Sequence, residues 1–220
     1  MTQRVSTGVK GLDKLVQGGV PKGSVVLVSG APGTGKTILG MQFLEAGLRK
    51  GEKCAYVTIE EPPEKIMNQA AQFGFFRKPP EMISARDIRY DIGIGKKPEG
   101  IVDKVNLVLE KLRKLKPERV VIDSVSSLIL EDGLKARVVV KKLIEGLDKL
   151  GATCVVTGEA LEGDYPDEAT PFLVDGVIVL TATEVGKDTT RNLVMRKMRQ
   201  TELIGGLHEL QFTKTGIKID

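Results

Sequence analysis

The chain has one histidine and two cysteines, no apolar run that approaches the ~18 residues of a membrane span, and no low-complexity tract. Cys54 and Cys154 form no C-x-x-C pair and each falls in a predicted strand, so they read as small buried hydrophobes, not as a redox couple or a metal clip. His208, between Leu207 and Glu209-Leu210 in another predicted strand, reads as a structural or interface residue. The opening Met-Thr-Gln-Arg-Val-Ser-Thr-Gly lacks the apolar core of a signal peptide, so a cytoplasmic protein without membrane insertion is expected. What remains is ordinary: 220 residues, 41% hydrophobic and 28% charged, enough for a single α/β domain spanning residues 1–220 and too few for two large ones.

One stretch organises the chain. Ser29-Gly30-Ala31-Pro32-Gly33-Thr34-Gly35-Lys36-Thr37 fits the G-x-x-x-x-G-K-[ST] phosphate loop at every position. The motif needs a strand running in and a helix running out, so that free backbone N–H groups and the positive helix end meet the phosphates. Both flanks are present: residues 24–29 form a β-branched run, and residues 37–49 carry helical periodicity stopped by Gly51. Gly30, Gly33 and Gly35 allow close backbone approach, and residues from Ala31 and Pro32 through Thr34 to Ile38 complete the nucleotide cradle. Lys36 supplies a cation for the β/γ-phosphates and Thr37 a hydroxyl for Mg²⁺, which makes ATP and Mg²⁺ the expected ligands. The net charge of +4 permits a polyanionic partner without demanding one.

A second strand, residues 53–59, delivers Glu60-Glu61, and Pro62-Pro63 starts a helix running to Gln72. Paired carboxylates at a strand's carboxyl end suit chemistry, and acids opening a helix also suit its dipole. A third short strand spans 81–86, and a Gly-rich charged loop spans 87–99. The helix expected over 100–116 buries Ile101, Val105, Val108, Leu109 and Leu112 and turns Lys111, Arg113, Lys114 and Lys116 outward as a solvated face. Arg119-Val-Val-Ile-Asp123 is an apolar strand ending in one acid, the form of a Walker B strand, with Asp123 holding Mg²⁺ through water beside Thr37. Residues 124–133 read as a loop, 134–150 as a helix and 152–157 as a core strand. The loop from Gly158 to Thr170 carries Glu159, Glu162, Asp164, Asp167 and Glu168 with no Lys or Arg. From Asp175 the pattern turns to a C-terminal antiparallel meander.

Taken together, Ser6-Thr7-Gly8, Leu12-Asp13, Leu15, Gly18-Gly19, Pro21 and Gly23 before the phosphate loop resemble the RecA superfamily, most closely its KaiC-like branch, which includes archaeal RadA paralogues. The resemblance covers residues 5–218. It implies a RecA-like P-loop NTPase core, a mostly parallel sheet flanked by helices, extended by the meander. It also implies slow Mg-dependent ATP hydrolysis in a hexameric homo-oligomeric ring with ATP at subunit interfaces. Glu60 or Glu61 would activate water, Thr157 would sense the γ-phosphate, and Lys197 and Arg199 would reach the γ-phosphate of the neighbouring subunit. Three roles are compatible with it: a regulatory ATPase, an accessory factor in recombinational DNA repair that binds single-stranded DNA or a RadA-type recombinase, and a regulator of an archaellum-type motor. The acidic 158–170 loop would repel DNA phosphates and weighs against the second. Pro171-Phe172 stands where the two-domain clock protein carries its phosphorylated Ser-Thr pair, so a phosphorylation cycle is not implied.

Overall fold

The computed structural model describes residues 2–85, 100–131, 136–160, 165–167 and 169–220. The chain opens on a short antiparallel pair, β1 (Arg4–Val5) and β2 (Val20–Pro21), around a single helical turn, α1 (Leu12–Leu15). Leu12, Leu15 and Val16 of this lead-in are buried. Asp13 shapes this lead-in: its carboxylate accepts from the Ser6 hydroxyl at 2.6 Å and from the Thr7 N–H and hydroxyl at 2.8 and 2.6 Å.

Next come β3 (Val25–Gly30), α2 (Lys36–Leu48), β4 (Cys54–Thr58), α3 (Pro63–Gln72) and β5 (Glu81–Ser84). Then follow α4 (Ile101–Leu115), β6 (Arg119–Asp123), α5 (Val125–Glu131), α6 (Ala136–Asp148), β7 (Thr153–Glu159) and α7 (Thr170–Leu173). The chain ends on β8 (Gly176–Val185), β9 (Asp188–Met198), β10 (His208–Thr213) and β11 (Gly216–Ile219). Strands β3 to β11 form a nine-stranded sheet in the order β11-β10-β9-β8-β3-β7-β6-β4-β5. It is parallel from β8 to β5 and antiparallel from β8 to β11, which is the expected core with its meander. None of the described helices is long and apolar enough to cross a membrane.

Both faces of the parallel part are covered, which is why its strands read as unbroken apolar runs. Alternate residues of β3 go to opposite layers: Val25 and Leu27 pack with Leu109, Leu128 and Leu143 from α4, α5 and α6, while Val26 and Val28 pack with Leu12, Met41, Phe43 and Ile66 from α1, α2 and α3. Arg119, at 1% exposure, crosses the second layer. It pairs with Glu52, donates to the Ser6 and Phe43 carbonyls at 2.7 and 2.8 Å and stacks over Phe43, tying the lead-in to α2.

Two expectations are corrected. The segment after Asp123 is helical, because Val125 and Leu128, one turn apart, are buried in the core and outweigh the turn preference of the serines around them. Glu159 belongs to the end of β7 and not to the acidic loop, and Asp167 is not a free loop acid. Its carboxylate accepts from the Ala169 and Thr170 N–H groups at 2.6 and 2.8 Å, satisfying donors at the start of α7. The expected loop at 87–99 and the acids Glu162, Asp164 and Glu168 lie outside the described residues.

Candidate nucleotide site

Parallel strands that alternate with helices leave their carboxyl ends open as a crevice, and here the crevice is centred on β3. Beyond Gly30 the chain turns through Ala31–Gly35 into α2, with φ of 77° at Gly33 and 105° at Gly35. A side chain at Gly35 is excluded twice, since its Cβ would lie 2.9 Å from the ring of Phe212. The Thr34 hydroxyl donates to the Ala31 carbonyl at 2.8 Å and closes the turn from within. The cleft above, about 430 Å³, is lined by Pro32, Gly33, Gly35, Lys36, Thr37 and Ile38, by Glu60, Glu61, Asp123 and Ser124, and by Gln69, Glu159 and Phe212.

Lys36 is mostly buried, and its ammonium donates to the Gly30 and Ala31 carbonyls at 2.9 and 3.0 Å. Desolvation pushes its pKa below the usual lysine value, opposed by the negative charges of Glu159, Asp123 and Glu60. The Asp123 carboxylate is the hub of the acid side. Its Oδ2 accepts from Thr37 at 3.0 Å and from the Tyr56 hydroxyl at 2.5 Å, while Thr157 donates to Oδ1. Thr157 is fully buried, and its hydroxyl is directed to Asp123 and not into the cleft. Glu60 accepts from Ser124 at 2.8 Å and from Ser127 of α5, and Glu61 accepts from Gln69 of α3 at 2.9 Å. The Thr58 hydroxyl donates to the Glu61 carbonyl at 2.5 Å and fixes the strand end that carries both acids.

These donors suit a nucleoside triphosphate with Mg²⁺. A hydroxyl and one carboxylate are hard oxygen ligands, and Mg²⁺ commonly takes one or two such groups plus phosphates and water.

Lys197 and Arg199 are not brought into this cleft. In the sheet register Met198 faces Gly176 and Gly176 faces Val26, so both cations sit at the level where β3 begins, whereas the phosphate loop leaves β3 at Gly30. The four steps from Val26 to Gly30 amount to roughly 13 Å along the strand. Lys197 donates to the Pro171 and Val174 carbonyls around α7 at 3.0 and 2.6 Å. Its pKa is lowered by desolvation first and by neighbouring Arg199 second. Arg199 pairs with Asp175 at 3.0 Å.

Tyr56, Phe212 and Arg191 were not singled out from the sequence, and Glu159 was read only as one acid of the 158–170 loop, although an acid closing a parallel core strand was a usable signal. Arg191 lies at the phosphate-loop end of β9, its Nε 3.5 Å from the Gly33 carbonyl and its guanidinium 4.7 Å from the centre of the Phe212 ring.

The family model for the KaiC ATPase matches residues 5–220. A UPF0273 protein of Pyrococcus horikoshii is 35% identical over 99% of this chain and 94% of its own length. One from Thermotoga maritima is 34% identical over 100% and 96%. A crystal structure of a KaiC-like protein from Pyrococcus horikoshii superposes with a TM-score of 0.87 at 28% identity, covering 100% of both chains. The family model and these relatives match this chain over nearly its whole length, and the chain belongs to the KaiC family of ATPases.

Proposed function

We propose that the protein binds ATP with Mg²⁺ in this cleft and hydrolyses it slowly, as a subunit of a homo-oligomeric ring with nucleotide at its interfaces. The observation that carries the reading is the meeting of Lys36, Thr37, Asp123 and Glu60 around one opening. Backbone N–H groups at the start of α2 and the Lys36 ammonium receive the phosphates. The burial that disfavours the Lys36 charge is offset when phosphate oxygens lie beside it. Thr37 and, through water, Asp123 would hold Mg²⁺, which would supply neutralisation of phosphate charge. Glu60, fixed by Ser124 and Ser127, orients the attacking water.

The assignment of Lys197 and Arg199 to a neighbouring subunit's γ-phosphate is supported by their distance from their own phosphate loop. Both are held by groups of their own chain, Lys197 by carbonyls and Arg199 by Asp175. Their transfer to a neighbour requires those contacts to open, which supports low turnover and a regulatory role in which assembly sets the rate. The test measures phosphate release and particle mass together, with Mg²⁺, with chelator, and for Lys36→Ala. Turnover that needs Mg²⁺, Lys36 and assembly is expected. A wild-type protein that binds no Mg-ATP at millimolar concentration overturns the reading.

A further inference from the structure

We propose that Phe212, together with Arg191, is the stacking site for the nucleobase of the bound nucleoside triphosphate. This rests on the nucleotide reading of the cleft. The sheet order sets the direction in which the ligand must lie. β3 carries the phosphate loop. On one side are β7, β6 and β4, whose ends present Glu159, Asp123 and Glu60, and on the other are β8, β9 and β10. The acids divide the cleft in the same way: Glu60, Glu61 and Asp123 line one side with Ser124, Gln69 and Ile66, and Phe212 lines the other with Pro32 and Ile38 at the loop between them. A triphosphate whose reacting end faces the acids directs its nucleoside toward β10.

Phe212 is 43% exposed and lines the cleft, so part of its ring is open to a flat apolar partner there. It is also rigidly placed relative to the phosphates. Phe212 pairs with Ile217 across β10 and β11. The Gln42 side chain of α2 accepts from the Ile217 N–H at 2.7 Å and donates to its carbonyl at 3.0 Å. The helix that opens at the phosphate loop therefore holds the strand opposite the ring, and the ring rests against Gly35 of that loop. Arg191 adds a second planar group, 4.7 Å from the ring centre. A base entering here stacks on the Phe212 ring and meets the Arg191 guanidinium within the same stack.

Calorimetric titration with Mg-ATP and with Mg-tripolyphosphate, which has the phosphates and no base, tests the assignment on the wild type, Phe212→Leu and Phe212→Tyr. Leucine keeps the apolar contact with the hairpin and removes the aromatic face; tyrosine keeps that face. Phe212→Leu is expected to weaken ATP binding about 10-fold or more, the scale of losing one stacked base, and to leave tripolyphosphate binding unchanged, with Phe212→Tyr restoring ATP binding. Equal losses for both probes, or no loss for ATP in a wild type that binds both, overturn the stacking assignment and leave the phosphate-loop reading standing. A wild type that binds neither probe overturns both.

Discussion

The hydroxyl of Tyr56 donates a 2.5 Å hydrogen bond to Oδ2 of Asp123, the same oxygen that accepts from Thr37 at 3.0 Å. Tyr56 is wholly buried, and desolvation, followed by the nearby Asp123 charge, holds its pKa well above the usual tyrosine value. The phenol is thus a permanent donor that fixes the carboxylate from behind, leaving Asp123 aimed at Thr37. Tyr56→Phe keeps the packing and removes only this orienting bond. We expect the Mg²⁺ concentration for half-maximal ATP turnover to rise about 10- to 100-fold, the usual cost of losing a partner of a metal-binding group. Metal-free nucleotide binding should be unchanged. A Mg²⁺ titration that gives the wild-type midpoint would show that Tyr56 only fills space.

Glu60 and Glu61 are adjacent in sequence but held from different elements. Glu60 is fixed by Ser124 and Ser127 beside Asp123, and its charge is felt by Lys36; Glu61 is bound to Gln69 of α3. On the proposed reading, the carboxylate whose charge reaches Lys36 is the better placed to order a water near the γ-phosphate. Glu60→Gln should bind ATP normally and turn over ~10²-fold or more slowly, with a smaller loss for Glu61→Gln. Single-turnover assays on both variants check the order. Full activity in Glu60→Gln moves the base elsewhere.

Much of this site was legible because its two motifs are local. A phosphate loop needs only its own strand and helix, and an acid-tipped strand declares itself in five residues from Arg119 to Asp123. The rest depends on which strands become neighbours. Tyr56 reads as an ordinary core residue of β4 until β4 pairs with β6 and sets it against Asp123, and Phe212 has no meaning until β10 arrives beside the phosphate loop. The serines after Asp123 suggested a loop, and only the burial of Val125 and Leu128 makes them a helix. Local chemistry was readable; pairing between strands far apart in sequence was not, from the 67 residues that separate Tyr56 and Asp123 upward.

The cysteines offer a pH-dependent test. Burial pushes the Cys54 thiol to about 12 and Cys154 higher still. The thiolate is the reactive form, so at pH 8 roughly one Cys54 in ten thousand is available. Because the folded state holds these protons more tightly, the linked stability is present below the free thiol's range and is lost as pH climbs through the folded value near 12. Iodoacetamide at pH 8 should modify neither residue in the native protein and both after denaturation, as read by mass spectrometry. Rapid native labelling of either would contradict the burial.

Lys197 and Arg199 separate catalysis in trans from a merely structural use of cations. The register puts both near the start of β3, and the Arg199 side chain is 55% exposed despite its pairing with Asp175. An exposed pair of this kind is worth little to folding, at most about 1 kcal/mol, so Arg199→Ala should stay folded. If the guanidinium serves a neighbour's γ-phosphate, turnover should fall by about 10³- to 10⁵-fold, the scale of such a cation in GTPases. Arg199→Lys should not rescue fully, because an ammonium cannot grip two phosphate oxygens as the planar fork does. Mixing then assigns the subunit: Lys36→Ala chains have an intact Arg199, and Arg199→Ala chains have an intact phosphate loop. Mixed rings contain some interfaces with both, and should regain part of the activity that each variant lacks alone. Rings that mix, by mass, yet recover no turnover would show that Arg199 does not act in trans, and full activity in a monomer would do the same.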